Sequence, residues 1–419
     1  MSDWYLEERK RFGQLIRFHR TQKGLTLRQL EDPIGRSHTW LSQLEQGDIV
    51  LTHDIQEHMC SALGLVLTDD FALHQCFQKD FETMLERLIY GDTSALVQFM
   101  KQWADQQTVM LVSIDVVDYL LAMALTAPYD KKGFQPWSTI DLVQSLEPLQ
   151  AIMASNQRFL WYVVKGRFEL MQHHFETARQ TLDLALAEQA SSALQDLAAF
   201  YRVQALSQSY HLFDARQQYE TLIENFERRG QLHRAMEIKL ANVMNTIRMH
   251  HLDAARTRLE PVADYVRQRG HRELFRPMIE VAMLLFLLLG DYETVLAYAS
   301  ELKVPSPKTG FYQAFAACRL KRNVERCHLP REEDMQKPHA TLFLQLTRQL
   351  TLAETEQPAC DHQLTWLSQA YKEFKTFDLI PEATLIYDTL KETLIQKRRY
   401  KEAYQVTADM IEMVKKMMN

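Results

Sequence analysis

The stretch from Gly24 to Gly47, GLTLRQLEDPIGRSHTWLSQLEQG, constrains this chain more than any other. It holds two short apolar-patterned runs with a turn between them. Thr26 is placed to cap the first run, its hydroxyl accepting a free backbone N–H. Leu27 and Leu30 give that run one apolar face. Pro33 disfavours the α region at Asp32, so the first helix is expected to stop there. Gly35 supplies the freedom a sharp turn needs. Ser37 is a second N-cap, Leu41 and Leu44 face inward from the run that follows, and Gly47 is a C-terminal stop. Two helices joined through a glycine-containing turn make a helix-turn-helix unit.

The stretch resembles the helix-turn-helix of phage-repressor-like regulators, the XRE family. Gly24-Leu25-Thr26, Leu30, Ile34-Gly35, Ser37, Leu41-Ser42, Leu44-Glu45 and Gly47 match that pattern in register. Two positions depart from it. Leu27 stands where the family usually carries a polar residue that touches DNA phosphate, and Pro33 replaces a helix former. The second helix of such a motif enters the major groove, and its N-terminal residues reach base edges. With Leu41 and Leu44 facing in, His38, Thr39 and Gln43 face out. Gln43 can pair with adenine through two hydrogen bonds, and Thr39 can touch a thymine methyl. Arg36, Trp40 and Ser42 sit where backbone contacts are made, and Trp40 is equally placed to pack. The family also pairs the arginine four residues before the first glycine with the glutamate near the helix-ending glycine. Those positions here are Arg20 and Glu45, so the resemblance implies an internal ion pair, structural in role.

A chain of 419 residues is too long for one core. Residues 1–68 are expected to form the DNA-binding domain and 69–419 a second domain for peptide binding and dimerisation. In the first, a helix from Asp3 to Lys23 puts Phe12, Ile16 and His19 on one face, and its basic residues include Arg17, a phosphate-contact candidate. Leu51–Leu63 reads as the closing helix. The net charge of −6 excludes a globally basic nucleic-acid coat, so DNA binding must rest on local charge. Five scattered cysteines without a C-x-x-C pair speak against zinc or a disulfide framework and fit a reducing cytoplasm. The segment Met1–Arg20 is charged and is not expected to act as an apolar signal segment, and the apolar run Val281–Leu289 is too short to span a bilayer.

From about residue 70 onward the chain reads as helical hairpins. A turn phrase recurs: an aromatic or leucine, an acid or polar residue, then a small residue. It occurs at His174–Ala178, Leu212–Ala215, His251–Ala255, Gly290–Thr294 and Arg399–Ala403. The first four are spaced by roughly 37 to 40 residues, near the tetratricopeptide period of about 34. Gly91–Ala95 looks like one more turn, Leu385–Met413 a late copy, Pro305–Cys360 a degenerate region and Ala127–Ser138 a long loop. The expected fold is therefore all-α: a helix-turn-helix domain followed by a right-handed superhelix of tetratricopeptide-like hairpins. The first helix of each repeat lines the concave face of such an array, which holds partners and carries no chemistry. Candidate contacts there are Arg167, Tyr201, Gln204, Gln208, Lys239, Asn242, Asn245 and Arg248. Asn242 and Asn245 are i, i+3 neighbours, and an Asn amide can both donate to and accept from a peptide backbone. The alternative is that both asparagines satisfy neighbouring helices.

The whole arrangement resembles the peptide-pheromone receptors of Gram-positive bacteria, the RRNPP group, with a length closest to its NprR-like members. The resemblance implies a cytoplasmic quorum-sensing transcription regulator that binds a short imported peptide in its concave groove and acts as a homodimer. A dimer implies an operator of inverted repeats. Competing readings are an adaptor whose repeats sequester a partner such as a response regulator, and a phage or plasmid repressor without a peptide. No Walker A loop, G-x-G-x-x-G, H-E-x-x-H or G-x-S-x-G occurs, and His173-His174 and His250-His251 are adjacent pairs that make no chelating face. No enzyme activity, cofactor, metal or membrane partner is expected.

Overall fold

The first helix, α1 (Ser2–Gln22), is buried along two faces. One carries Phe12 and Ile16; the other carries Gln14, Leu15 and Phe18. The computed structural model describes residues 2–67, 71–130, 133–270, 272–320, 322, 339–355, 360–377 and 379–418. Every regular element among them is helical, and the chain divides into two compact units, residues 1–209 and 210–419.

In the first unit, α1 is followed by α2 (Glu31–Ile34), α3 (His38–Gln46) and α4 (His53–Leu63). Phe12, Ile16, Leu30, Ile34, Leu41, Leu44, Met59 and Leu63 form one small core. The expectation that Pro33 ends the first helix at Asp32 is corrected. A 3-10 turn over Arg28–Leu30 runs into α2, which continues through Pro33 to Ile34. Pro33 is the third residue of α2, where a backbone N–H has no partner within the helix, so its absence costs nothing. Gly35, at φ 66°, makes the stop. Helix α1 crosses α3 so closely that a Cβ on Gly13 would lie 2.4 Å from the Glu45 carbonyl oxygen and 2.6 Å from that of Leu44.

The same unit continues through α5 (Phe71–Tyr90), α6 (Thr93–Ala104), α7 (Gln107–Met110), α8 (Val116–Thr126) and α9 (Thr139–Leu146). Every residue of α8 is buried, Asp118 and Thr126 included, as befits a central helix that is apolar nearly all round. Ser138 and Asp141 form a reciprocal capping box at the start of α9. Helices α10 (Ser155–Met171), α11 (Phe175–Ala187) and α12 (Ser192–Gln208) then pack in sequence. Gly166 on α10 admits Leu182 on α11, which stands 2.5 Å from where a Cβ would be.

The second unit holds α13 (Leu212–Arg228), α14 (Leu232–Arg248), α15 (Leu252–Arg269), α16 (Arg272–Leu288), α17 (Tyr292–Ser300), α18 (Pro307–Arg319), α19 (Ala340–Thr355), α20 (Cys360–Thr376), α21 (Ile380–Gln396) and α22 (Tyr400–Met418). Left-handed residues punctuate it at Tyr210, Gly230, His250, Gly270 and Gly290, at a constant spacing of 20 residues. A 17-residue helix plus a three-residue turn fills that interval at α13, α14 and α16. Two such intervals explain the hairpin spacing seen in the sequence. The degenerate stretch corresponds to α18 and α19, with 323–338 and 356–359 outside the described residues. Helix α21 packs on α14 and α16. Its Glu382 accepts hydrogen bonds from the Tyr312 hydroxyl at 2.6 Å and Lys308 Nζ at 2.9 Å, deep in the core.

Candidate functional site

Ser37 caps α3, its hydroxyl accepting the Trp40 N–H at 3.3 Å. Leu41 and Leu44 pin the helix inward, so Arg36, His38, Thr39 and Gln43 are exposed while Trp40 and Ser42 are half-buried. The Arg36 guanidinium lies 5.3 Å from the Trp40 ring centre, so Trp40 both packs and carries a cation on its face. His38 is partly committed: its backbone N–H and ring Nδ1 both meet Glu31 Oε1 at 2.6 Å. The His38 backbone N–H, followed by the ring, holds the Glu31 carboxyl below its usual range. That leaves Nε2 as the free edge of His38.

Behind this face Arg20 grips Glu45 with two bonds, Nε to Oε1 at 2.6 Å and Nη2 to Oε2 at 3.0 Å, and gives a third to the Leu25 carbonyl at 2.7 Å. Arg17 turns towards the same carboxylate. Its Nε stands 4.0 Å from Glu45 Oε2, is buried and makes no hydrogen bond among the described residues. Burial, offset in part by Glu45, lowers its pKa from the usual arginine value.

The second buried face of α1 meets the helices after residue 70. Arg11 Nη1 reaches Asp115 Oδ1 at 2.7 Å and Asp118 Oδ2 at 2.8 Å. Gln78 donates to the same two carboxylates at 2.7 and 3.1 Å, and His74 Nδ1 lies 2.6 Å from Asp115. Gln14 donates to Gln157, which donates on to Asp118, each at 2.7 Å. His19 Nε2 donates to the Leu111 carbonyl at 2.8 Å, and burial lowers the pKa of the ring. Burial works against the Arg11 charge, but Asp118, Asp115 and Glu7 outweigh it and the pKa ends raised. At Asp115 burial wins over His74 and Arg11, and the carboxyl is pushed up. None of these residues was marked by the sequence as a group. His19 was expected beside Phe12 and Ile16; its ring instead bonds the Leu111 carbonyl on this second face.

The repeat residues separate by environment. In the first unit the Arg167 guanidinium sits 4.8 Å from the Tyr201 ring centre and 5.5 Å from that of Tyr129. Gln204 is half-buried and Gln208 exposed. In the second unit Lys239 pairs with Glu227 at 2.6 Å, and Arg248 is half-buried. Asn242 and Asn245 are buried at 1% and 0% exposure. Asn245 Nδ2 donates to the Leu212 carbonyl at 3.0 Å, but its oxygen, and both amide atoms of Asn242, have no hydrogen-bond partner among the described residues.

Residues 11–72 match a family described as a helix-turn-helix domain. No curated protein sequence matches the chain. Solved structures that share its fold include these two. One is Rap protein complexed with Competence and Sporulation Factor: 12% identity, TM-score 0.63, covering 81% of this chain and 98% of that one. The other is the apo form of the quorum sensor NprR from B. thuringiensis: 13% identity, TM-score 0.55, covering 83% and 100%. Among the described residues no helix is long and apolar enough to cross a membrane, and no three His, Cys, Asp or Glu side chains gather as metal ligands would.

Proposed function

We propose that this chain is a cytoplasmic transcription regulator, not an enzyme. In this reading α3 reads an inverted-repeat operator as part of a homodimer, and the repeats take up a short signalling peptide that tunes DNA affinity. The observation that carries the reading is the exposed polar edge of α3, Arg36, His38, Thr39 and Gln43, on a domain matched as a helix-turn-helix. It stands in one chain with repeats that share the fold of a protein named as a quorum sensor. Arg36 and Ser42 contact phosphates beside it, with Trp40 as the platform for Arg36. Arg17 takes a phosphate only by leaving Glu45.

On the peptide side, the unpartnered amide of Asn242 supports a backbone clamp. A buried amide left unsatisfied costs about 1–3 kcal/mol, which a peptide bond in that place would recover. Asn245 shares the clamp, flanked by Lys239 and Arg248. Arg167, Tyr201, Gln204 and Gln208 are the contacts proposed in the first unit. A coupling of roughly 1–3 kcal/mol between peptide and DNA would change operator affinity about 5- to 150-fold.

The test is a binding series on an operator selected from random duplexes, with Gln43→Ala. The substitution should cost about 1–3 kcal/mol at one base-pair position. Uniform loss at all positions would remove Gln43 from the reading set. Calorimetry with synthetic peptides from open reading frames beside the gene, on wild type and Asn242→Ala, tests the clamp. The likeness to Rap favours a second reading, in which the repeats sequester a partner protein. An Arg36→Ala/Gln43→Ala chain that keeps its full biological effect would select it.

A further inference from the structure

A cavity of about 830 Å³ opens between α1 and α4 on one side and α5 with residues 110–115 on the other. That size is typical of small-molecule sites. Its walls are mixed, and their apolar part includes Phe12, Leu65, Leu67, Leu73, Met110 and Ile114. Val66 and Phe71 stand at it 84% and 60% exposed. Single exposed apolar residues are ordinary, but two beside the apolar part of the walls extend one apolar surface into solvent.

The formal charge on the described lining is net negative. Among the described lining residues Glu7, Glu8, Glu57 and Asp115 stand against one formal cation, Arg11, for a net of −3 (1 − 4) with histidines neutral. Arg11 is already held between Asp115 and Asp118. His53, also on the lining, stands 3.3 Å from Glu57 and adds positive charge only when protonated. An anion entering here meets an excess of carboxylates, whereas a strongly hydrated cation would lose water to the apolar part of the walls. The occupant that suits both is a weakly hydrated one.

We propose that this cavity is a binding site for a small organic cation with an apolar body. The walls come from both sides of the seam that α1 makes with the helices after residue 70. An occupant therefore gains contacts only while the two sides are together, and it shifts the molecule towards that arrangement. The site does not depend on α3 reading DNA.

The test is calorimetry of the full chain with tetraphenylphosphonium, and with tetraphenylborate as an anion of matched shape. The phosphonium should bind saturably at one per chain, and the borate roughly tenfold more weakly or not at all. Higher salt should narrow that gap, because the Glu7 and Glu57 side chains are 67% and 70% exposed. Glu7→Gln/Glu57→Gln should weaken the cation about fivefold. Ser61→Trp, at an exposed α4 position on the lining, should abolish binding with the melting curve intact. Hydrogen exchange in α1 and at residues 110–118 should slow on addition of the cation. Equal affinity for the two ions, absence of saturable binding, or unchanged binding in Ser61→Trp would each overturn the proposal.

Discussion

Arg11 and Asp115 are 104 residues apart in the chain and 2.7 Å apart in the fold. The pair joins the helix that braces the helix-turn-helix to the segment that opens the central helix α8. Asp115 and Asp118 are 1% and 4% exposed, and one guanidinium serves both. Arg11→Met should therefore destabilise the protein by about 3–5 kcal/mol, the cost of stranding buried charge. The triple change Arg11→Met/Asp115→Asn/Asp118→Asn should recover most of that loss, since Gln78 and Gln157 can still bond the amides. Urea denaturation of the three proteins decides it; a single variant as stable as wild type would mean that solvent already screens the pair.

Gly13 should tolerate no side chain. The obstacle to a Cβ is backbone on α3, which cannot rotate away as a side chain can. Gly13→Ala is expected to cost about 1–3 kcal/mol through overpacking and to lower the melting temperature. Gly166→Ala meets the Leu182 side chain instead, which can shift, so it should cost less. The reverse ranking would show that α1 and α3 separate easily.

Glu382 gives the second unit an acid limb. Burial pushes its carboxyl upward, but Lys308 and then the Tyr312 hydroxyl overcome it, and the pKa ends below the usual value. A depressed carboxylate contributes stability above its unfolded pKa of about 4.3, and the contribution is lost as pH falls through the lower folded value. Urea midpoints between about pH 6 and pH 3 should fall more steeply for wild type than for Glu382→Gln. Parallel curves would assign the acid transition to other groups.

His250 occupies a left-handed turn at φ 58° without the freedom of glycine. Gly230, Gly270 and Gly290 hold the equivalent places. His250→Gly should raise stability by about 0.5–1 kcal/mol. A loss in differential scanning calorimetry would mean that the ring makes a contact worth more than the backbone strain.

The parts of this fold that were legible in the sequence are those with short-range signals. Ser37 and Gly47 bracket α3 in the structure as the sequence indicates, because capping is decided within four residues. The hairpin spacing was legible because turn phrases repeat. Pro33 misled because its effect depends on its place in the helix, and a short 3-10 turn ahead of it moved that place. The role of Arg11 was not legible, since nothing near it in sequence reveals the two aspartates at the start of α8. Leu15 and Phe18 did carry a signal: both lie off the Phe12–Ile16 stripe, and an apolar residue off the stripe marks a second packed face. The burial of Asn242 could not be read from i, i+3 spacing, which says that two side chains are neighbours but not what covers them.

The even spacing of left-handed residues from Tyr210 to Gly290 governs how this part of the chain can change over evolutionary time. One residue inserted into a helix rotates everything beyond it by roughly 100°, turning buried positions outward. Point substitution is the permitted currency there, and single-residue length change is not. The smallest segment that can be duplicated or deleted with every face kept in phase is a pair of 20-residue intervals, one whole hairpin. Variation in the number of hairpins, rather than in their length, is the form in which divergence of this region should be found among its homologues.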